Sequence, residues 1–214
     1  MCGDVRRQEY PVANDGIVIG RGQFMKALNT LLAMVICLAL GVAIGFKIAI
    51  VREHSRLEHN KQIISRMLKE VWSNPDTNSA MKVADELFTP NFGLHDWTGD
   101  SYGLENHKKG IADNRQISPD RNEQVLDMVA EGDKVAVRSL STGTMKRDIP
   151  AVQGYQPVLP ATCKFIRLPE LAVLRIVNGK IAEQWDFADN WGANVQQGLI
   201  DPDKMTFKPV SVCR

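Results

Sequence analysis

Apolar positions divide the chain into two regimes. From Ala27 to Phe46 the sequence runs ALNTLLAMVICLALGVAIGF without a charged residue. Beyond it, apolar and polar positions alternate at helical or strand spacing. A helix of that length spans the roughly 30 Å hydrocarbon core of a bilayer. Lys26 and Lys47 bracket the run, and their aliphatic stems let the charges reach the interface. A soluble helix would carry a polar face, so the pattern predicts a single-pass membrane helix over 27–50. The alternative is a cleaved signal peptide, since Ala43 and Gly45 have small-x-small spacing; the long stretch before the run argues against it. Gly41 and Gly45 form a GxxxG pair, spaced for close helix approach. Basic residues flank the run almost equally, with Arg21 and Lys26 before it and Lys47 and Arg52 after it. The positive-inside rule therefore leaves both topologies open.

Ile63, Ile64, Met67, Leu68, Val71 and Trp72 share one helical face, predicting a helix that ends near Ser73-Asn74-Pro75. Leu57 extends that face back toward the membrane run as a stalk. Ala80, Val83, Ala84, Leu87 and Phe88 predict a second helix, capped by Asn78 or Ser79 and stopped by Pro90. A third helix is expected from Leu104 to Asn114. The period then changes to two. Val125 to Ala130 reads as a strand, and Val135, Val137 and Ser139 alternate with Ala136, Arg138 and Leu140 in the next. The proline-containing stretch 145–161 reads as a loop. A strand from Cys163 to Val177 meets Asn178-Gly179, the favoured dipeptide of a two-residue hairpin. Lys180 to Phe187 returns, and a short helix follows from Trp191 to Leu199. Helices first and antiparallel strands afterwards predict an α+β domain, its helices packed on one face of a curved antiparallel sheet, with a pocket between the layers.

Composition adds exclusions. The chain has 214 residues and a formal net charge of +1, which excludes a strongly electrostatic nucleic-acid binder. The boundaries are read as a flexible tail over 1–26, a transmembrane helix over 27–50, a linker or stalk over 51–60, a folded domain over 61–201 and a trailing tail over 202–214. The four cysteines lack the spacing of a zinc site, and no metal or cofactor is expected. Cys163 and Cys213 leave a disulfide open. His54, His59 and His107 are placed on polar helix faces, and Glu170 and Glu183 are read as surface charges.

Several segments, in order, resemble one family. LRIVNGKIAEQWDFAD (174–189) resembles the final hairpin of the SnoaL-like polyketide cyclases and related ester cyclases, of the nuclear transport factor 2-like superfamily. LKEVWSNPD (68–76) resembles their first helix and turn. DELFTPNFGLHDW (85–97) resembles the second helix and a following His-containing segment. VAEGDKVAVR (129–138) resembles a strand–turn–strand, and Gln196-Gln197-Gly198-Leu199 the closing helix. The resemblance implies a cone-shaped domain, dimeric through its sheet, with a mostly apolar cavity. It also implies an aspartate on the last strand that removes a proton beside an activated carbonyl. That aspartate falls on Asp186.

Strand parity then puts Ala182, Gln184 and Ala188 on the side of Asp186, with Ile181, Trp185 and Phe187 opposite. On the partner strand Ala172, Leu174 and Ile176 face inward. The set reads as an apolar cavity for a hydrophobic ligand, with Ala172, Leu174 and Gln184 binding substrate and Trp97 and Tyr102 at the mouth. Certain cyclases carry a histidine where this chain has Ala172. His95, followed by Asp96, is a second catalytic candidate, and Asp189 a third, its other role being to cap the helix after it. The expected function is a membrane-anchored domain that binds a hydrophobic carbonyl compound as a cyclase or isomerase. The alternative is a non-catalytic ligand-binding or dimerisation module of the same fold.

Overall fold

The computed structural model describes residues 20–154 and 156–205. Most of the N-terminal tail with Cys2, and the end of the chain with Cys213, lie outside the described residues. The chain divides into two units, Met1–Val51 and Arg52–Arg214.

Helix α1 covers Arg21–Arg66. Its apolar part has no buried side; Leu38, Val42 and Phe46 are each more than two-thirds exposed. Among the described residues this is the one helix long and apolar enough to cross a membrane. The stalk expected over 51–60 is helical throughout.

In the second unit α1 runs into a single π turn, Met67–Trp72. Ser73 closes it, its backbone N–H and its hydroxyl both donating to the carbonyl of Leu68. Arg115 donates to the carbonyl of Trp72 at 2.7 Å, so a later helix secures this end. Helix α2, Thr77–Leu87, is capped by the Asp76 carboxylate, which accepts from the Asn78 N–H. The cap thus lies ahead of the expected Asn78 or Ser79, because Asp76 is the extended residue at the helix entry.

Strands β1 (Phe88–Asp96) and β2 (Gly99–Tyr102) follow, then α3 (Leu104–Ile117). Strands β3 (Asn122–Glu131), β4 (Lys134–Thr144), β5 (Phe165–Val177) and β6 (Lys180–Ala188) and helix α4 (Asn190–Gln197) complete the unit. The six strands form one sheet in the order β2-β1-β6-β5-β4-β3. Every pairing is antiparallel except that of β1 with β6, which is parallel. Asn178 and Gly179 have φ of 51° and 75°, the doubly left-handed turn that this dipeptide favours.

The core lies between helices and sheet. Ile64 and Val71 from the first helical element, Ala84 and Leu87 from α2, and Ile111 from α3 meet Phe88, Phe92, Val135, Leu174 and Ile181. Each large apolar side chain buried this way contributes about 1.5–3 kcal/mol relative to exposure. Ile181 contradicts simple alternation. Arg175 pairs with Glu183, yet Ile176 pairs with Ile181. Ala182 is therefore an extra residue in β6, a bulge that turns Ile181 into the core while Gln184 keeps the same inward side. Gly143 matters too. A side chain there would collide with the Ser118 hydroxyl and press on the Arg121 backbone. Glycine thus lets β4 lie against the segment that carries Arg121.

Candidate active site

A cavity of about 560 Å³ opens between the sheet and the helices. Parity supplies its floor: Glu123 from β3, Val137 and Ser139 from β4, Glu170 and Ala172 from β5, Gln184, Asp186 and Ala188 from β6, and Leu94 and Asp96 from β1. Met67, Leu68 and Trp72 line it from the end of the first helix, and Asn106, His107, Gly110 and Asn114 from α3. Arg121 enters from the turn between α3 and β3.

The geometry sorts the expected residues. Asp186, Gln184, Ala172 and Trp97 line the cavity. Ala172 pairs directly with Asp186 across the two strands. Leu174 points to the same side but is fully buried in the core and is not part of the cavity wall. His95 is a correction. It pairs with Trp185 on the opposite face of the sheet, the rings stacked at 5.2 Å. Its Nδ1 lies 2.8 Å from Asp100, not Asp96. Tyr102 is a correction for the same reason, standing edge-on to His95 outside the cavity and largely exposed. Asp189 accepts the Gly192 N–H at 2.8 Å and caps α4, its carboxylate spent on the helix end.

The lining also corrects the expected apolar character. Five carboxyl side chains, Asp96, Asp113, Glu123, Glu170 and Asp186, line the cavity among the described residues, and Arg121 lies against Glu123, Glu170 and Asp186. Arg121 donates to Glu123 at 2.7 Å, to Glu170 at 3.0 Å and to Asn114 at 3.2 Å. Its plane lies over the Trp72 ring, 4.9 Å from the centroid. Glu170, expected on the surface, has a side chain only 13% exposed; it follows the inward parity of Ala172 and Leu174. Glu183 does sit at the surface, paired with Arg175 at 2.6 Å. His107 is also a correction, because Leu104, His107 and Ile111 form the buried face of α3. It packs among Trp72, Phe88 and Phe92.

Burial and like charge shift these groups. Asp186 is raised to about 6, mainly by desolvation, with Arg121 opposing and Asp96 and Glu123 adding to the rise. Asp96 lies one residue past the pairing of His95 with Trp185, level with Asp186. Glu170 is raised to about 7 by desolvation; Arg121 opposes this, and Glu123 and Asp186 add to it. Burial drives His107 down to about 4 and keeps its ring neutral. Six buried side-chain atoms lack a hydrogen-bond partner among the described residues; three of them, Glu123 Oε2, His107 Nε2 and Gln184 Oε1, are on cavity residues, and the others are on His95, Arg115 and Ser118. Such atoms are rare in folded proteins, and the three on cavity residues are open to a ligand's polar groups. Among the described residues no group of three or more His, Cys, Asp or Glu side chains is placed to hold a metal ion.

Sequence reasoning missed Arg121, Glu123 and Glu170. For Glu170 the signal was available, since it continues the alternation of Ala172 and Leu174. For Arg121 the local sequence offers only Glu123 two residues on; the contact that sets it in the cavity is with Glu170, 49 positions away.

The arrangement suits proton transfer: a carboxylate that ionises near pH 6 beside a carboxyl that keeps its proton close to neutrality. The sequence matches the family model for SnoaL-like polyketide cyclases over residues 62–197. The fold is similar to a candidate SnoaL-like polyketide cyclase from Jannaschia sp. CCS1, with TM-score 0.59 and 19% identity over 68% of this chain and 95% of that one. It is similar to a candidate polyketide cyclase from Acidithiobacillus ferrooxidans, with TM-score 0.55 and 25% identity over 66% and 95%. It is also similar to AclR, a candidate hydroxylase from Streptomyces galilaeus, with TM-score 0.54 and 22% identity over 68% and 99%. No curated protein matches the chain.

Proposed function

We propose that this chain, which belongs to the SnoaL-like polyketide cyclase family, binds a carbonyl compound with an acidic α-hydrogen and removes that hydrogen with Asp186. The observation that carries the reading is the place of Asp186 in the cavity wall, opposite the small side chain of Ala172, where burial raises its carboxyl. The carboxylate takes the α-proton, the C–H electron pair moves into the carbonyl, and an enolate forms. Attack of the enolate carbon on a second carbonyl closes a ring; return of the proton elsewhere gives an isomer. Where related cyclases use histidine, this chain has Ala172. Glu170, one inward position along the same strand, takes the acid role. Arg121 holds its Oε1, which leaves Oε2 to carry the proton toward the developing oxyanion.

The pH profile tests this pairing. Exchange of the α-hydrogens of methyl acetoacetate for deuterium is followed by NMR. The enzymatic rate rises as Asp186 ionises near pH 6 and falls as Glu170 loses its proton near pH 7. A rate that climbs with hydroxide alone refutes the pairing. Binding without any exchange favours the alternative, a non-catalytic ligand-binding module.

We also propose a membrane anchor and a homodimer. The anchor rests on the exposed apolar surface of α1. The dimer rests on the sheet face away from the cavity, where Leu171 pairs with Phe187 and Val173 with Trp185. Leu171 and Phe187 are about half and two-thirds exposed, an apolar patch that a second copy would cover. One preparation tests both. The full chain resists alkaline carbonate extraction from membranes and sediments as a dimer in detergent, whereas Phe187→Glu remains membrane-bound but sediments as a monomer. Release by carbonate sinks the anchor, and a dimeric F187E sinks the interface.

A further inference from the structure

A second cavity, of about 180 Å³, shares Trp97, Asn114, Arg121, Leu168 and Asn190 with the first. The two differ in charge. Among the described residues, the larger one is lined by five carboxyl side chains and Lys109 as well as the shared Arg121, which is the only charged residue lining the smaller. Its own walls include Ile117, Met145, Ile149, Leu159, Ile166 and Ala193. Met145, Ile166 and Ala193 form a separate buried cluster, with Ile117, Ile149 and Leu168 packed against it.

The β4–β5 connection covers this space, and its hydrogen bonds fix its shape. Ile149 and Leu159 exchange two backbone hydrogen bonds, at 2.8 and 3.0 Å, and Val152 and Gln156 exchange two at 3.0 Å. The Asp148 carboxylate accepts the Ala161 N–H at 2.8 Å. At the base, Met145 donates to Lys164 and Cys163 donates back to Met145. Connections of this length inside a domain are often functional. The walls also carry polar side chains, among them Ser141, Thr142 and Gln197, but they are mostly apolar, and a preformed space of this kind spares a ligand the ordering that would otherwise weaken binding.

We infer that the smaller cavity receives an uncharged, unbranched alkyl or alkenyl arm of the substrate. The arm packs against Ile117, Ile149, Leu159 and Ile166 while the carbonyl head lies in the charged cavity beside Asp186. This inference rests on the proposed function for the position of the head. It identifies the substrate class as an amphipathic carbonyl compound with an unbranched apolar arm, rather than a compact or uniformly polar one. The shared wall places the junction of head and arm at Arg121 and Trp97.

Methyl β-keto esters with alkyl arms of increasing length, from methyl acetoacetate upward, are titrated into the full chain in detergent by calorimetry. Each added methylene tightens binding about fourfold until the space is filled, after which affinity stops rising. Leu159→Trp fills the space and removes the gain with length; Ile149→Ala enlarges it and moves the plateau to longer arms. Circular dichroism confirms that both variants fold. Affinity indifferent to arm length in the wild type overturns the inference, as does an unchanged slope in folded L159W. The base is scored separately by deuterium exchange. Length dependence without exchange in the wild type leaves the arm site standing and refutes the base; exchange without length dependence does the reverse.

Discussion

Asp186→Asn lowers α-hydrogen exchange about 10²–10⁴-fold, the range of a positioned general base, and leaves β-keto ester affinity close to that of the wild type. Asparagine preserves shape and hydrogen-bonding capacity but cannot accept the proton. The same variant also changes stability, with a sign that a purely structural role would not give. The folded carboxyl sits near 6, above its ordinary 3.8. Its stabilising share is complete below the unfolded value and is lost as pH rises through about 6. Above that pH the wild type holds an anion in a poorly solvated cavity that asparagine does not. D186N therefore melts higher than the wild type at alkaline pH, and the gain disappears in acid. Unaltered exchange removes Asp186 from the mechanism. A melting difference independent of pH removes the charge argument.

Arg121→Met produces the largest loss of stability. Arg121 bridges Glu123, whose side chain is fully buried, and Glu170. Removing one partner of a buried pair costs about 3–5 kcal/mol because the remaining charge has no counterion. In a domain of this size that lowers the melting temperature by roughly 10 °C. Methionine retains the aliphatic bulk against Trp72, so the loss reports charge more than volume. Arg121 also lowers both Asp186 and Glu170. The exchange profile of any folded R121M therefore moves to higher pH. The double variant R121M/E123Q recovers part of the lost stability by removing the charge of the fully buried partner. Thermal melts that match the wild type, or a double variant no better than the single, contradict this account.

The parts of the fold that periodicity predicts are those in which local pattern and tertiary contact agree. The alternation of Val135 and Val137 and the Asn178-Gly179 turn take the form that their spacing implies, and the stripe from Ile63 to Trp72 is helical and buried, although its last turn widens to a π turn. Strand β1 was not legible because Pro90, Asn91 and Gly93 give it the composition of a loop. It is a strand because its end pairs in parallel with β6, His95 with Trp185, far along the chain. The same non-local pairing carries His95 out of the cavity, since Leu94 and Asp96 take the inward side. His107 was readable in principle: Leu104, His107 and Ile111 repeat at helical spacing, but the polar neighbours of the histidine obscured the stripe. Asp186 and Ala172 were legible because hairpin register fixes them as a pair. The counterion was not, since no spacing rule connects Arg121 to Glu170.

The extra residue at Ala182 splits β6 into two halves in opposite phase. The half near the turn serves the core through Ile181, and the other half serves the cavity through Gln184 and Asp186. The two demands are thereby uncoupled. Side chains downstream of the bulge can vary with the chemistry while the hydrophobic layer upstream keeps its identity. A one-residue length change on the downstream side would exchange the Asp186 carboxylate for the Phe187 ring without disturbing Ile181. The bulge therefore sets the frame in which this strand's reactive group is read.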